Sequence, residues 1–213
     1  MKLYLSSYFL GNHPEELAKL VGPNKKVGLI MNAADVYGNE KHSAYLASEI
    51  KKMKEIGLDA EELDLRDYFN DNPALKTKLQ SYGLIWAMGG NSFVLRKAMR
   101  MSGFDAIIKD LVVGEKLVYG GFSAGSCVAA RSLKGIEIVD NPDQIVEGYD
   151  NAIVWEGLNL IDFSIAPHYR SEHPESDKIE SVVTYFEENN IKYRALRDGE
   201  VLIVDGTNVT LLK

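Results

Sequence analysis

The residues best able to do chemistry in this chain stand where apolar runs end in glycine. Residues 116–120 (KLVYG) lead into Gly121-Phe122-Ser123-Ala124-Gly125, followed by a small-residue helix expected over 126–133. This is a G-x-S-x-G between strand and helix, the setting in which a serine is held at the tip of a strained reversal. Gly121 and Gly125 let strand and helix approach. The hydroxyl then projects beside a helix N-terminus, whose free N–H groups favour negative charge. The N–H of Ala124 falls where an oxyanion would develop. A second glycine turn, Gly89-Gly90-Asn91, ends the run 84–88 (LIWAM) and could bring a further N–H donor beside Ser123. Neither turn matches a Walker loop or a dinucleotide fingerprint, so no nucleotide cofactor is expected.

A serine nucleophile needs a base, and there are four histidines. His13 precedes a surface helix, His42 reads as a solvated helix residue, and His173 lies in a polar loop. Only His168, after the run 163–166, combines an apolar strand with a position at its C-terminal edge. The acid that would orient it is open on these grounds. Asp140, Asp143, Asp150 and Asp162 precede His168, giving the order of α/β-hydrolases; Asp198 follows it, in an Asp-Gly turn.

These side chains must be carried by alternating elements. Strands are expected over 2–7, 26–32, 61–65, 84–88 and 116–120. Helices are expected over 14–21, 40–56, 73–81, 92–101 and 105–113. Residues 40–56 carry the clearest apolar stripe: Tyr45, Leu46, Ile50, Met53 and Ile56. Beyond Leu133 the pattern weakens. Residues 136–139, 152–155 and 163–166 are strand candidates, 174–189 a helix, and 193–197, 200–204 and 208–212 strands. Buried strands between helices imply one α/β domain over 1–213: a mostly parallel sheet covered on both faces, with an antiparallel extension near the C-terminus. Function is then expected at the C-terminal strand ends.

Composition narrows the field. The 213 residues are 46% hydrophobic, with 24 Lys+Arg against 31 Asp+Glu, a net charge of −7. That argues against a nucleic-acid binder. A lone Cys127 excludes a disulfide framework and a multi-thiolate metal site. No run reaches the roughly 20 apolar residues of a membrane span. The expectation is a cytoplasmic enzyme or binding module with no metal and no membrane partner.

The blocks Gly89-Gly90-Asn91, Gly121-Phe122-Ser123-Ala124-Gly125-Ser126, Ala166-Pro167-His168-Tyr169 and Leu196-Arg197-Asp198-Gly199, in this order, resemble the peptidase E family of serine peptidases (family S51), which includes aspartyl dipeptidases and cyanophycinases. The resemblance implies a flavodoxin-like three-layer sandwich akin to class I glutamine amidotransferase domains, with Ser123 where those carry cysteine. It implies Ser123 as nucleophile, His168 as base, Asp198 as the third triad member, and Gly90 and Ala124 as oxyanion donors. The implied reaction is hydrolysis of short peptides, dipeptides with N-terminal Asp first among them, without a cofactor. Alternatives are a cyanophycinase-like hydrolase, an esterase, or a homologue that has lost Asp-X dipeptidase activity and acts as a binding module. Recognition of an aspartyl side chain calls for cations, for which Arg170 and Arg131 are the candidates, with Asn91 also near the cleft. Cys127 is expected to pack rather than react.

Overall fold

The structure is a computed structural model. It describes every residue except Gly38 and Asn70, and only the backbone of Asn39, Glu40 and Lys41. Among the described residues, nine strands and seven α-helices run in the order β1 (Lys2–Ser6), α1 (Pro14–Val21), β2 (Lys26–Ile30), α2 (Asn39–Glu55), β3 (Asp59–Glu62), α3 (Asn72–Leu79), β4 (Leu84–Ala87), α4 (Ser92–Met101), α5 (Phe104–Val113), β5 (Val118–Phe122), α6 (Ala124–Cys127), β6 (Ser164–Ala166), α7 (Ser176–Glu188), β7 (Tyr193–Ala195), β8 (Val201–Asp205) and β9 (Asn208–Leu212).

The main sheet has the order β3-β2-β4-β5-β1-β8-β9. Its first five strands are parallel, and β8 and β9 extend it antiparallel from β1. The parallel part has the flavodoxin strand order, with the chain's first strand standing in fifth place. Every residue of β4 and β5 is buried, as strands covered on both faces require. On one face Leu17, Val21 and Met53 of α1 and α2 pack on Trp86, Val27 and Leu29. On the other, Leu75 and Leu79 of α3, Phe93 of α4, Ile108 of α5 and Phe186 of α7 pack on Leu3, Ile85 and Tyr119. The expected mostly parallel sandwich is therefore observed.

The differences from expectation lie beside the site. The strand expected over 116–120 is displaced to Val118–Phe122, so it runs on to the residue before Ser123. The helix expected over 126–133 is only the four residues of α6. It stops because segment 157–161 docks against it. The N–H groups of Leu158, Asn159 and Leu160 take the carbonyls of Val128, Ala130 and Ala129, which a longer helix would have used. Residues 136–139 form a 3-10 turn (Ile136–Ile138), not a strand. Residues 152–155 form no strand, and the bridge nearest them joins Ser132 to Glu156. The sequence also gave no sign that β6 and β7 leave the main sheet to form a two-stranded parallel sheet of their own.

Candidate active site

The elbow is built by strain and close approach. Ser123 adopts φ +50°, ψ −117°, a conformation that costs an L-residue about 1–3 kcal/mol and persists only where the surroundings impose it. They do so here. Ser123 N–H donates to the carbonyls of Ser6 (3.3 Å) and Ser7 (3.1 Å) at the end of β1. Ser126 Oγ donates within reach of the Ser6 and Gly121 carbonyls, and Tyr119 Oη holds the Gly125 carbonyl at 2.8 Å. A Cβ on Gly125 would lie 2.0 Å from the Ala87 carbonyl oxygen, so no other residue fits this crossing of β4. The Gly89-Gly90 turn is at the same spot. A Cβ on Gly89 would sit 3.2 Å from that of Ser123, and Gly90, at φ +139°, is pressed onto the Ala33 carbonyl. Ala124 opens α6, and the N–H at a helix's first position is left over by the intrahelical ladder.

The small second sheet brings the histidine and an acid together. Ala166 of β6 pairs with Ala195 of β7, so the turns that follow the two strands leave side by side. His168, at φ +59° and 1% exposed, places Nδ1 2.7 Å from Asp198 Oδ1. Three further bonds fix the pair. Ser7 Oγ accepts the His168 N–H (2.8 Å) and lies 2.8 Å from Asp198 Oδ1, and Ser171 Oγ accepts the Asp198 N–H (2.8 Å). Burial works to raise the Asp198 carboxyl, but the bonds from His168 and Ser7 and the imidazole charge outweigh it and hold it below the usual aspartate value. The His173 ring stacks on His168, 3.7 Å between centroids and 8° from parallel, with the Tyr8 ring edge-on to both. Burial first, and the neighbouring His168 second, lower the His173 pKa.

Ser123, Gly89, Gly90, His168, His173, Glu175, Tyr8, Phe9, Tyr37, Tyr45 and Phe122 line one cleft of about 300 Å³, within the size range of small-molecule sites. Four of the expected residues thus meet there directly or through partners: Ser123, Gly90, His168 and Asp198. Ser123 and His168 share the cleft without a direct hydrogen bond among the described residues. The other acids are committed elsewhere. Asp150 pairs with Arg100, and Asp162 with Lys192. Asp143 is exposed, and Asp140 accepts the Ser92 N–H at 2.8 Å.

The expected substrate ligands are placed otherwise. Asn91 caps α4, its Oδ1 accepting from Phe93 and Val94 N–H, and its Nδ2 donates to the Asn141 carbonyl. Arg170 lies over the Tyr169 ring with its Nε 3.7 Å from Glu180. Arg131 lines a separate cavity with Met1, Lys109 and Asp162, which holds neither Ser123 nor His168. Cys127 is 4% exposed, and burial raises its thiol pKa well above the ordinary value. His42 is half-buried against Glu62 rather than solvated. Sequence reasoning missed Ser7, His173 and Glu175. Ser7 could have been found only from the adjacency of β1 and β5, and the other two only from the direction in which the loop before α7 folds.

Asp140 makes a separate, measurable contribution. Burial pushes its carboxyl up to about 6, against the opposing bond from Ser92 N–H at the start of α4. A raised acid pKa means the folded state holds the proton that the unfolded state has lost between about pH 4 and 6, so stability falls as pH rises through that window. Asp140→Asn, whose amide oxygen can still accept the Ser92 N–H, is expected to flatten this dependence. It should gain about 1–2 kcal/mol at pH 7.5 and nothing below pH 4. Thermal melts of both proteins at pH 4, 5 and 7.5 measure it.

The family model of peptidase family S51 matches residues 9–212. The chain belongs to this family. Among similar proteins, an uncharacterized peptidase of Listeria monocytogenes is 29% identical over 87% of this chain and 84% of its own length. Peptidase E of Streptomyces coelicolor is 30% identical over 82% of this chain and 68% of its own. A Drosophila melanogaster protein described as a "probable alpha-aspartyl dipeptidase" is 26% identical over 83% and 70%. The crystal structure of a peptidase E candidate from Listeria monocytogenes superposes with a TM-score of 0.79 at 26% identity, covering 100% of this chain and 98% of that one. This S51 chain is a peptidase with an α/β fold. No helix among its described residues is long and apolar enough to cross a membrane.

Proposed function

We propose that this chain is a serine-type peptidase of short peptides, acting through Ser123, His168 and Asp198. The observation that carries the reading is the His168–Asp198 pair facing the same cleft as a serine on a strained strand–helix elbow. Asp198 accepts from Nδ1–H of His168, which leaves Nε2 unprotonated and turned to the cleft as the base. His168 takes the proton of Ser123 Oγ as that oxygen bonds to the scissile carbonyl carbon. The N–H groups of Gly90 and Ala124 receive the oxyanion. His168 then gives the proton to the departing amine as the C–N bond breaks. Water, deprotonated by the same imidazole, releases the acyl group from Ser123.

The relatives' names make dipeptides with N-terminal Asp the first substrates to assay. The described residues lining the cleft include one carboxylate, Glu175, and no Lys or Arg, so the cleft is built for an uncharged first side chain at least as well as for an anionic one. Ala-Leu, Leu-Leu, Asp-Leu and the β-aspartyl isomer of Asp-Leu, incubated with wild type and followed by amine release, test this. Cleavage of Ala-Leu at a rate equal to or above that of Asp-Leu is expected. Cleavage of Asp-Leu alone would overturn the substrate reading and leave the triad standing. No cleavage of any of them would count against the peptidase role.

A further inference from the structure

We infer that Glu175 is the anchor for the free amino terminus of the substrate, making this peptidase select unblocked peptides; the inference rests on the cleft assigned above. Glu175 lines the cleft with Ser123 and His168, and it also lines a smaller cavity behind Ser123, shared with Ala124, Ser92 and Asp140. It is the carboxylate that both spaces have in common with the nucleophile.

Its charge is not spent within the protein. Among the described residues no Lys or Arg pairs with it. The nearest basic group is His173, whose Nδ1 stands 3.9 Å from Glu175 Oε2. That nitrogen accepts the N–H of Glu175 itself (3.3 Å), which puts the His173 proton on Nε2 and leaves the ring neutral. A half-buried carboxylate beside a neutral imidazole keeps its negative charge for a ligand. Burial is the main cause that raises the pKa of Tyr37, Asp140 and Cys127, and the field of Glu175 adds to it at each.

The walls suit an ammonium. Tyr8, Tyr37 and Tyr45 line the same cleft, and the faces of such rings attract cations. An acetylated amino terminus would bring an uncharged amide to Glu175 and bury part of that charge unpaired, a loss larger than that of a missing neutral contact. Selection by the enzyme would then follow from the amine and not from the first side chain.

The test uses the whole chain and needs no turnover. Ser123 is labelled with a fluorophosphonate in the presence of L-alaninamide or its N-acetyl derivative. Alaninamide is expected to protect at concentrations at least tenfold lower than the acetylated compound. In Glu175→Gln that gap should close through weaker protection by alaninamide, and Glu175→Asp should retain part of it. Where Ala p-nitroanilide and its N-acetyl form are turned over, the same difference should appear mainly in KM. Equal protection by both compounds, or a gap that survives in Glu175→Gln, would overturn the anchor. Absence of any label at Ser123 in wild type would instead overturn the serine-peptidase reading beneath it.

Discussion

Ser123→Ala is expected to lower kcat by a factor on the order of 10⁴ or more on any peptide the wild type cleaves, with the fold intact. Loss of the nucleophile removes the acyl-enzyme route entirely and leaves only what the oxyanion donors and binding contribute over water. The fold should survive because what holds the elbow is backbone. Ser123 N–H is bonded to the ends of β1, and Ser126, Tyr119 and Gly125 fasten the turn. Ser123 Oγ makes no hydrogen bond among the described residues. Alanine inherits the strain at φ +50°, so the melting temperature should move by no more than about 2–4 °C, corresponding to at most about 1 kcal/mol in a domain of this size. Ser123→Gly, free of that strain, should melt higher than either. Circular dichroism melts beside steady-state rates separate the two effects. A large loss of stability in Ser123→Ala would mean that the hydroxyl is structural and the elbow misread.

Asp198→Asn is expected to be the next most damaging change, lowering kcat by a factor on the order of 10³–10⁴ with little change in KM. The reason is the direction of one proton. In the wild type the Asp198 carboxylate accepts from Nδ1 of His168, which keeps Nε2 free of the proton. Ser7 Oγ lies 2.8 Å from the same Oδ1 and can donate to it. Turned so that its NH₂ takes the place of Oδ1, an asparagine would donate to His168 Nδ1, with Ser7 Oγ accepting its other N–H and donating to the Leu196 carbonyl (3.2 Å), which moves the imidazole proton to Nε2 and removes the base. The pH–rate profile gives a second readout. The carboxylate stabilises the imidazolium that forms in the transition state, so the variant should lose the rise in rate that accompanies deprotonation of the wild-type base. A variant with near-normal kcat would show that Asp198 is a turn residue and that His168 is oriented by the Ser7 bond to its backbone alone.

Much of the architecture was legible because it is local. The all-buried LIWA of β4 and the apolar stripe of α2 announce their elements, and the elbow could be read because glycines at 121 and 125 bracket a serine between a buried strand and small residues. The length of α6 was not legible. It is set by a segment thirty residues downstream that takes the carbonyls of residues 128–130, and nothing near Cys127 announces that competition. The pairing of Asp198, and not Asp140, with His168 was legible only through the family resemblance, because its physical cause is non-local. It depends on β6 and β7 pairing apart from the main sheet, and two three-residue strands carry too little pattern to predict a partner. Arg131 and Arg170 looked alike as cations near functional blocks. Only the fold shows one turned to a separate cavity and the other lying on Tyr169 beside Glu180. His173 and Glu175 sit in a stretch of polar residues whose sequence gives no face, and it is the docking of α7 through Ile179, Val182 and Phe186 that turns them into the cleft.

The central claim is that Ser123 is a nucleophile activated by His168. It is met most directly by treating the native protein with a fluorophosphonate at neutral pH, weighing the intact chain and mapping the adduct by peptide mass. The account predicts one adduct per chain, located on Ser123, formed far more slowly in His168→Ala and absent from Ser123→Ala. A wild type that stays unlabelled, or an adduct on any other residue that persists in Ser123→Ala, would contradict it.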